Sequence, residues 1–174
     1  MGNLAADIES WDKKKVQVIL GIYQTYCARI DFVDDLLRLL EKSISTYEQG
    51  VTWLIKHHVE QGGMLAKRQV STLLRKILPT LDHWEAKLHV FQTLPLIVIP
   101  ASCASVVFNT AMINCSTDKA FLRAWCFQAM AEACRVDQRY TQQVNSICQR
   151  AIKTESAAVR ARIKMVLLRL NQDT

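Results

Sequence analysis

The feature that most limits what this chain can fold into is a start signal that returns every 37 residues. The openings read Ser45-Thr46-Tyr47-Glu48, Asp82-His83-Trp84-Glu85, Thr117-Asp118-Lys119-Ala120 and Ser156-Ala157-Ala158-Val159, each ahead of a long apolar run. Glu48, Glu85, Leu122 and Val159 align at equal steps of 37. A fixed period of this size predicts stacked helical units, because one helix pair exposes more apolar face than it can cover alone and its neighbours must cover the rest.

Composition agrees. Half of the 174 residues are hydrophobic, and the 5 glycines and 3 prolines leave few positions for the turns of an all-β chain. The length suits a single domain, 1–174. Residues 1–44 are predicted to form N-terminal helices that cap the stack, and residues 45–174 its repeats of about 37. The apolar spacing of Leu4, Ile8, Trp11, Val16, Ile19, Leu20 and Tyr23 predicts one helix over Asn3–Cys27. Further helices are expected over Asp31–Leu40, Thr46–Glu60, Leu65–Leu78, His83–Leu94, Ser102–Ile113, Lys119–Arg135, Tyr140–Lys153 and Ala157–Leu170. Gly62-Gly63, Pro79 and Pro95 supply stops.

Between Leu88 and Thr117 there is no Asp, Glu, Lys or Arg. Pro95, Pro100 and a series of polar side chains interrupt that stretch, so the middle of a helical stack is expected there and not a membrane span. Six cysteines show no CxxC pair and sit mostly on apolar helical faces, which fits a reduced, cytoplasmic setting.

Phe121-Leu122-Arg123-Ala124-Trp125-Cys126-Phe127-Gln128-Ala129-Met130-Ala131 and Ala157-Ala158-Val159-Arg160-Ala161-Arg162-Ile163 resemble the HEAT-like repeat of bacterial α-helical solenoids. The likeness rests on a hydrophobic-Arg pair, Leu122-Arg123 and Val159-Arg160, and covers Asp82–Leu170; Gln49 and Ala86 stand where the earlier repeats would carry arginine. It implies an all-α fold: a right-handed α-solenoid of antiparallel helix pairs whose role is binding. DNA glycosylases of HEAT-like fold place tryptophans around a catalytic aspartate. No Asp follows Trp53, Trp84 or Trp125 by one turn, so these rings are expected at the seams between repeats.

Nothing points to catalysis. The chain has no Gly-rich phosphate loop, no GxSxG, no HExxH and no DxDxDG. His57, His58, His83 and His89 are read as helix-surface residues, and no metal or cofactor is expected. Charge is the sharper signal. The net charge is +6, and nearly all of the excess falls after residue 87. Lys67, Arg68, Arg75 and Lys76 share one side of a helical wheel opposite Val70, Leu73, Leu74 and Ile77. With Arg123, Arg160 and Arg162 they form the expected partner-binding set, able to pair with carboxylates or phosphates. Arg123 and Arg160 are also candidates for ties between repeats.

On the last helix, Ile163, Val166 and Leu170 make one apolar stripe, and Ala161, Met165 and Leu168 a second on the far side. A terminal repeat normally presents a polar outer face. The second stripe is therefore expected to be an association face, for a partner or for a second copy. The sequence predicts a non-enzymatic scaffold for another protein, with a nucleic-acid-binding module as the alternative.

Overall fold

The structure, a computed structural model, describes residues 3–42 and 44–172. It is all-helical, with no strand among the described residues. Contacts divide the chain into two compact units, Met1–Val98 and Ile99–Thr174.

The first unit holds α1 (Leu4–Ser10), α2 (Val16–Tyr26), α3 (Phe32–Glu41), α4 (Ser45–Glu60), α5 (Lys67–Thr72) and α6 (Trp84–Thr93). Helix α4 is its hub and packs on α1, α2, α3 and, most extensively, α6. Leu54 and Ile55 of α4 are buried along with Ile8, Ile19, Phe32, Leu36 and Phe91. Gly50 permits the approach of α1: a Cβ there would lie 2.9 Å from a methyl of Ile8.

The single helix expected over Asn3–Cys27 is broken. The Asp12 carboxylate accepts the N–H groups of Lys14 (3.0 Å) and Lys15 (2.9 Å), Lys13 takes φ 60°, and the Trp11 indole N–H donates to the Lys15 carbonyl at 3.0 Å. An aspartate that offers the backbone a turn in place of a helical hydrogen bond wins here over the continuing apolar pattern.

The second unit holds α7 (Ala104–Asn114), α8 (Ala120–Val136), α9 (Thr141–Ala151) and α10 (Ala157–Gln172). Here α8 is the hub, packed on α7, α9 and α10. Buried Ala129 and Ala133 on α8 keep that helix slim, while Phe127 and Met130 fill the space around it. Val159, Ile163, Val166 and Leu170 give α10 its buried stripe, each contributing roughly 1.5–3 kcal/mol of gross burial energy.

The four openings of the sequence pattern do start helices α4, α6, α8 and α10. The cap positions, however, belong to Ile44, His83 and Lys119 in the first three. Ser45 is already the first helical residue, and Thr117 reaches only as far as the Lys119 N–H, at 3.4 Å. The charge-free stretch is divided among short segments, and among the described residues no helix is long and apolar enough to cross a membrane.

Contacts between helices fall close to the sequence period. Thr52 meets His89 (3.1 Å), Trp125 meets Arg162, and Glu132 meets Arg169 (3.6 Å), each pair one full period apart. Buried Glu48 accepts the N–H groups of Asp82 (3.0 Å) and His83 (2.7 Å), so a side chain of one period caps the helix that opens the next.

Candidate anion-binding face

Ala66 is extended, and the Gln69 side chain accepts its N–H at 2.8 Å, which fixes the start of α5. The helix then widens. Leu73–Ile77 form a π turn closed by the Leu78 N–H on the Leu73 carbonyl, and Leu78–Thr80 tighten to a 3₁₀ turn at Pro79. Val70, Leu73, Leu74, Ile77 and Leu78 are buried, with α3 packed against this segment. The opposite side carries Arg68, Ser71, Thr72, Arg75 and Lys76, which line one open cleft of about 490 Å³. Three of the four expected basic residues of this segment therefore share one face with two hydroxyls. Lys67 is exposed at the first position of α5.

Two of these cations have acidic neighbours. Arg68 donates to Asp34 at 2.8 Å, and Gln69 donates to the same carboxylate oxygen at 3.0 Å. The Gln69 hydrogen bond, with the Arg68 charge beside it, holds Asp34 below the ordinary aspartate value. Lys76 stands 3.8 Å from Glu41. Both side chains remain largely exposed, at 74% for Arg68 and 71% for Lys76. Exposed pairs of this kind are worth little and yield easily to a stronger anion. No acid lies in ion-pair range of Arg75 among the described residues.

The second unit uses its arginines differently. Arg123 is a tie: its guanidinium donates to both oxygens of Glu155 at 3.1–3.2 Å and to the Thr117 carbonyl at 2.7 Å, with both side chains mostly buried. Arg160, the other expected tie, is exposed and forms no ion pair among the described residues. Arg162 fills the role instead. Its guanidinium carbon lies 4.4 Å from the Trp125 ring centroid, and it donates to Gln128 at 3.5 Å.

Beneath it runs a buried polar network that sequence reasoning missed. Gln128 donates to Glu132 at 2.8 Å, and Glu132 also receives Arg135 at 3.0 Å. The signal available was the Gln128, Glu132, Arg135 spacing within a run of small and apolar residues. Ala161, Met165 and Leu168 lie on the exposed side of α10.

The histidines depart from the helix-surface reading. His57 stacks on Trp53 (centroids 4.8 Å apart) and meets Tyr23 edge-on, while His58 packs edge-on to Phe32 with its Nδ1 3.4 Å from the Tyr23 hydroxyl. Burial lowers the proton affinity of both. His89 is pushed down to about 3, by burial first and by the nearby Lys56 and His83 second. These rings serve packing between helices. Among the described residues no group of His, Cys, Asp and Glu is placed to hold a metal ion.

The tryptophans expected at the seams are half-buried, and Trp125 stands under a charge from the next period. Burial raises the thiols of Cys134 to about 11 and Cys148 to about 12, so both stay protonated and unreactive at neutral pH.

No family model matches the chain, and neither does any curated protein or solved structure.

Proposed function

We propose that this chain is a non-enzymatic adaptor built of HEAT-like repeats, and that it holds an acidic segment of another protein in the α5 cleft. The observation that carries this reading is that Arg68, Arg75 and Lys76 share one open face with Ser71 and Thr72. Guanidinium forks suit carboxylates in bidentate geometry, and the hydroxyls can donate to the remaining oxygens. Contacts one period apart support the repeat reading, with Thr52–His89 in the first unit and Trp125–Arg162 in the second. Six cysteines outside any disulfide suit the cytoplasm.

A protein segment is favoured over nucleic acid because the expected basic strip is interrupted. Among the expected basic residues, Arg123 is held by Glu155 in a mostly buried pair and is not open to a ligand. A polyanion backbone calls for a run of uncommitted cations.

Fluorescence anisotropy of the full chain, with a labelled hexaglutamate peptide and a labelled oligothymidylate of equal charge, tests the reading. The peptide should bind with a shallow salt dependence, and Arg75→Glu with Lys76→Glu should weaken it by about tenfold or more. Preferential binding of the oligonucleotide, falling steeply with salt, would put the nucleic-acid reading in its place. Binding of neither probe would reduce the cleft to ordinary solvated surface.

A further inference from the structure

The outer face of α10 carries an exposed apolar seam, on a different helix from the α5 cleft, so a reading of the one stands or falls separately from a reading of the other. Ala158, Ala161, Met165 and Leu168 follow one another at steps of three, four and three, the spacing of a seam between paired helices. They lie opposite the buried stripe Val159, Ile163, Val166 and Leu170, and Met165 and Leu168 are 48% and 63% exposed. Isolated exposed apolar residues need no explanation; here four small or apolar residues share one stripe of the helix.

The charges beside the seam say what would cover it. Helix α10 contains four cations, Arg160, Arg162, Lys164 and Arg169, and no Asp or Glu. Helical geometry sets Arg160 and Lys164 along one flank of the seam and Arg162 and Arg169 along the other. The second flank is held in position, since Arg162 lies over Trp125 and Arg169 is 3.6 Å from Glu132. The seam is thus apolar in the middle and basic on both edges.

We infer that the α10 seam docks an amphipathic helix of a partner protein whose apolar stripe is flanked by Glu or Asp. Such a helix lays its i, i+3, i+4, i+7 anchors on Met165 and Leu168 and sets its acids against the two basic edges. Met165, flexible and polarizable, adapts to differing anchors. A second copy is disfavoured, because parallel or antiparallel it would bring cations against cations. A membrane surface is disfavoured too. The seam has only two large apolar side chains and no aromatic ring, which is little to insert among lipid chains.

The test uses the full chain and two designed helical peptides with identical leucine stripes, one flanked by Glu and one by Lys, read by anisotropy. The Glu-flanked peptide should bind and the Lys-flanked one should not. Leu168→Gln should weaken binding by about tenfold or more. Arg160→Glu with Lys164→Glu makes one edge acidic and leaves the other basic, so the preference should vanish, with the Lys-flanked peptide gaining affinity as the Glu-flanked one loses it. Both of those side chains are exposed, and a gain of binding cannot arise from misfolding. Equal binding of both peptides to the unaltered chain, or of neither, would overturn the inference. So would a concentration-dependent dimer in sedimentation equilibrium that Met165→Glu abolishes, or binding to vesicles of anionic lipid in the absence of peptide binding.

Discussion

Trp125 and Arg162 stand one sequence period apart, with the guanidinium over the indole and its carbon 4.4 Å from the ring centroid. A cation over an indole in a partly desolvated seam is attracted by the ring's negative face and loses less hydration than an ammonium would. The pair joins α8 to α10 at the same interval at which Thr52 joins α4 to His89 of α6.

Replacing Arg162 by Ala is expected to destabilise the chain by about 1 kcal/mol, with Lys restoring less than half. A double-mutant cycle with Trp125→Leu, read by urea unfolding, should give a coupling of roughly 0.5–1 kcal/mol. A coupling of zero would mean that the contact is incidental.

Glu48 is buried, and its carboxylate accepts two backbone N–H groups at the start of α6. Glu48→Ala leaves those donors without their acceptor and should cost about 2 kcal/mol, while Glu48→Gln keeps one acceptor oxygen and should cost about half as much. Guanidinium denaturation separates the two. Equal losses would show that packing, and not capping, is what the side chain supplies.

The glycines after α4 differ in kind. Gly62 has φ +86° and open space around it, so Ala there should cost only the backbone strain, about 1 kcal/mol. At Gly63 an added Cβ would run into the His58 ring, which Tyr23 and Phe32 hold in place from the other side. Gly63→Ala should therefore lower the melting temperature more than Gly62→Ala does. A His58→Ala background should recover most of the difference, and a failure to recover it would locate the strain in the backbone.

Stability should depend on pH through His89. The Thr52 hydroxyl donates to the Glu48 carbonyl at 2.7 Å, which leaves its oxygen to accept from His89 Nδ1–H at 3.1 Å. Held neutral in the fold, with a value lowered from 6.5 to about 3, His89 takes up its proton on unfolding. Its contribution is complete above pH 6.5 and is lost as pH falls toward 3, the loss reaching about 2 kcal/mol at pH 5. His57 and His58 are shifted in the same direction and add to the loss. Thermal melts between pH 5 and pH 8 should show the decline, and His89→Asn should shrink it. An unchanged slope in that variant would assign the titration to other groups.

Much of the helical order was legible because it follows from spacing. The 37-residue interval marked where α4, α6, α8 and α10 open, and Val70, Leu73, Leu74 and Ile77 are buried as their periodicity predicts. What spacing does not encode is competition by single side chains. Asp12 breaks a run whose apolar pattern continues on either side, and Glu48 caps a helix 35 positions away.

For the same reason the binding set was only partly readable. A wheel shows which residues share a face of one helix, and it placed Arg68, Arg75 and Lys76 together. Asp34, Glu41 and Glu155 come from other parts of the chain, so their neutralising contacts became visible only once the helices had packed.

The near-periodic contacts also bear on the order in which the chain reaches its native state. The side-chain hydrogen bonds from Tyr26 to Asp7 and from Thr52 to His89 span 19 and 37 positions. The entropy lost on closing such loops grows only slowly with their length. These partners lie within about one period of sequence, so the helix pairs they join are expected to form ahead of contacts between more distant segments.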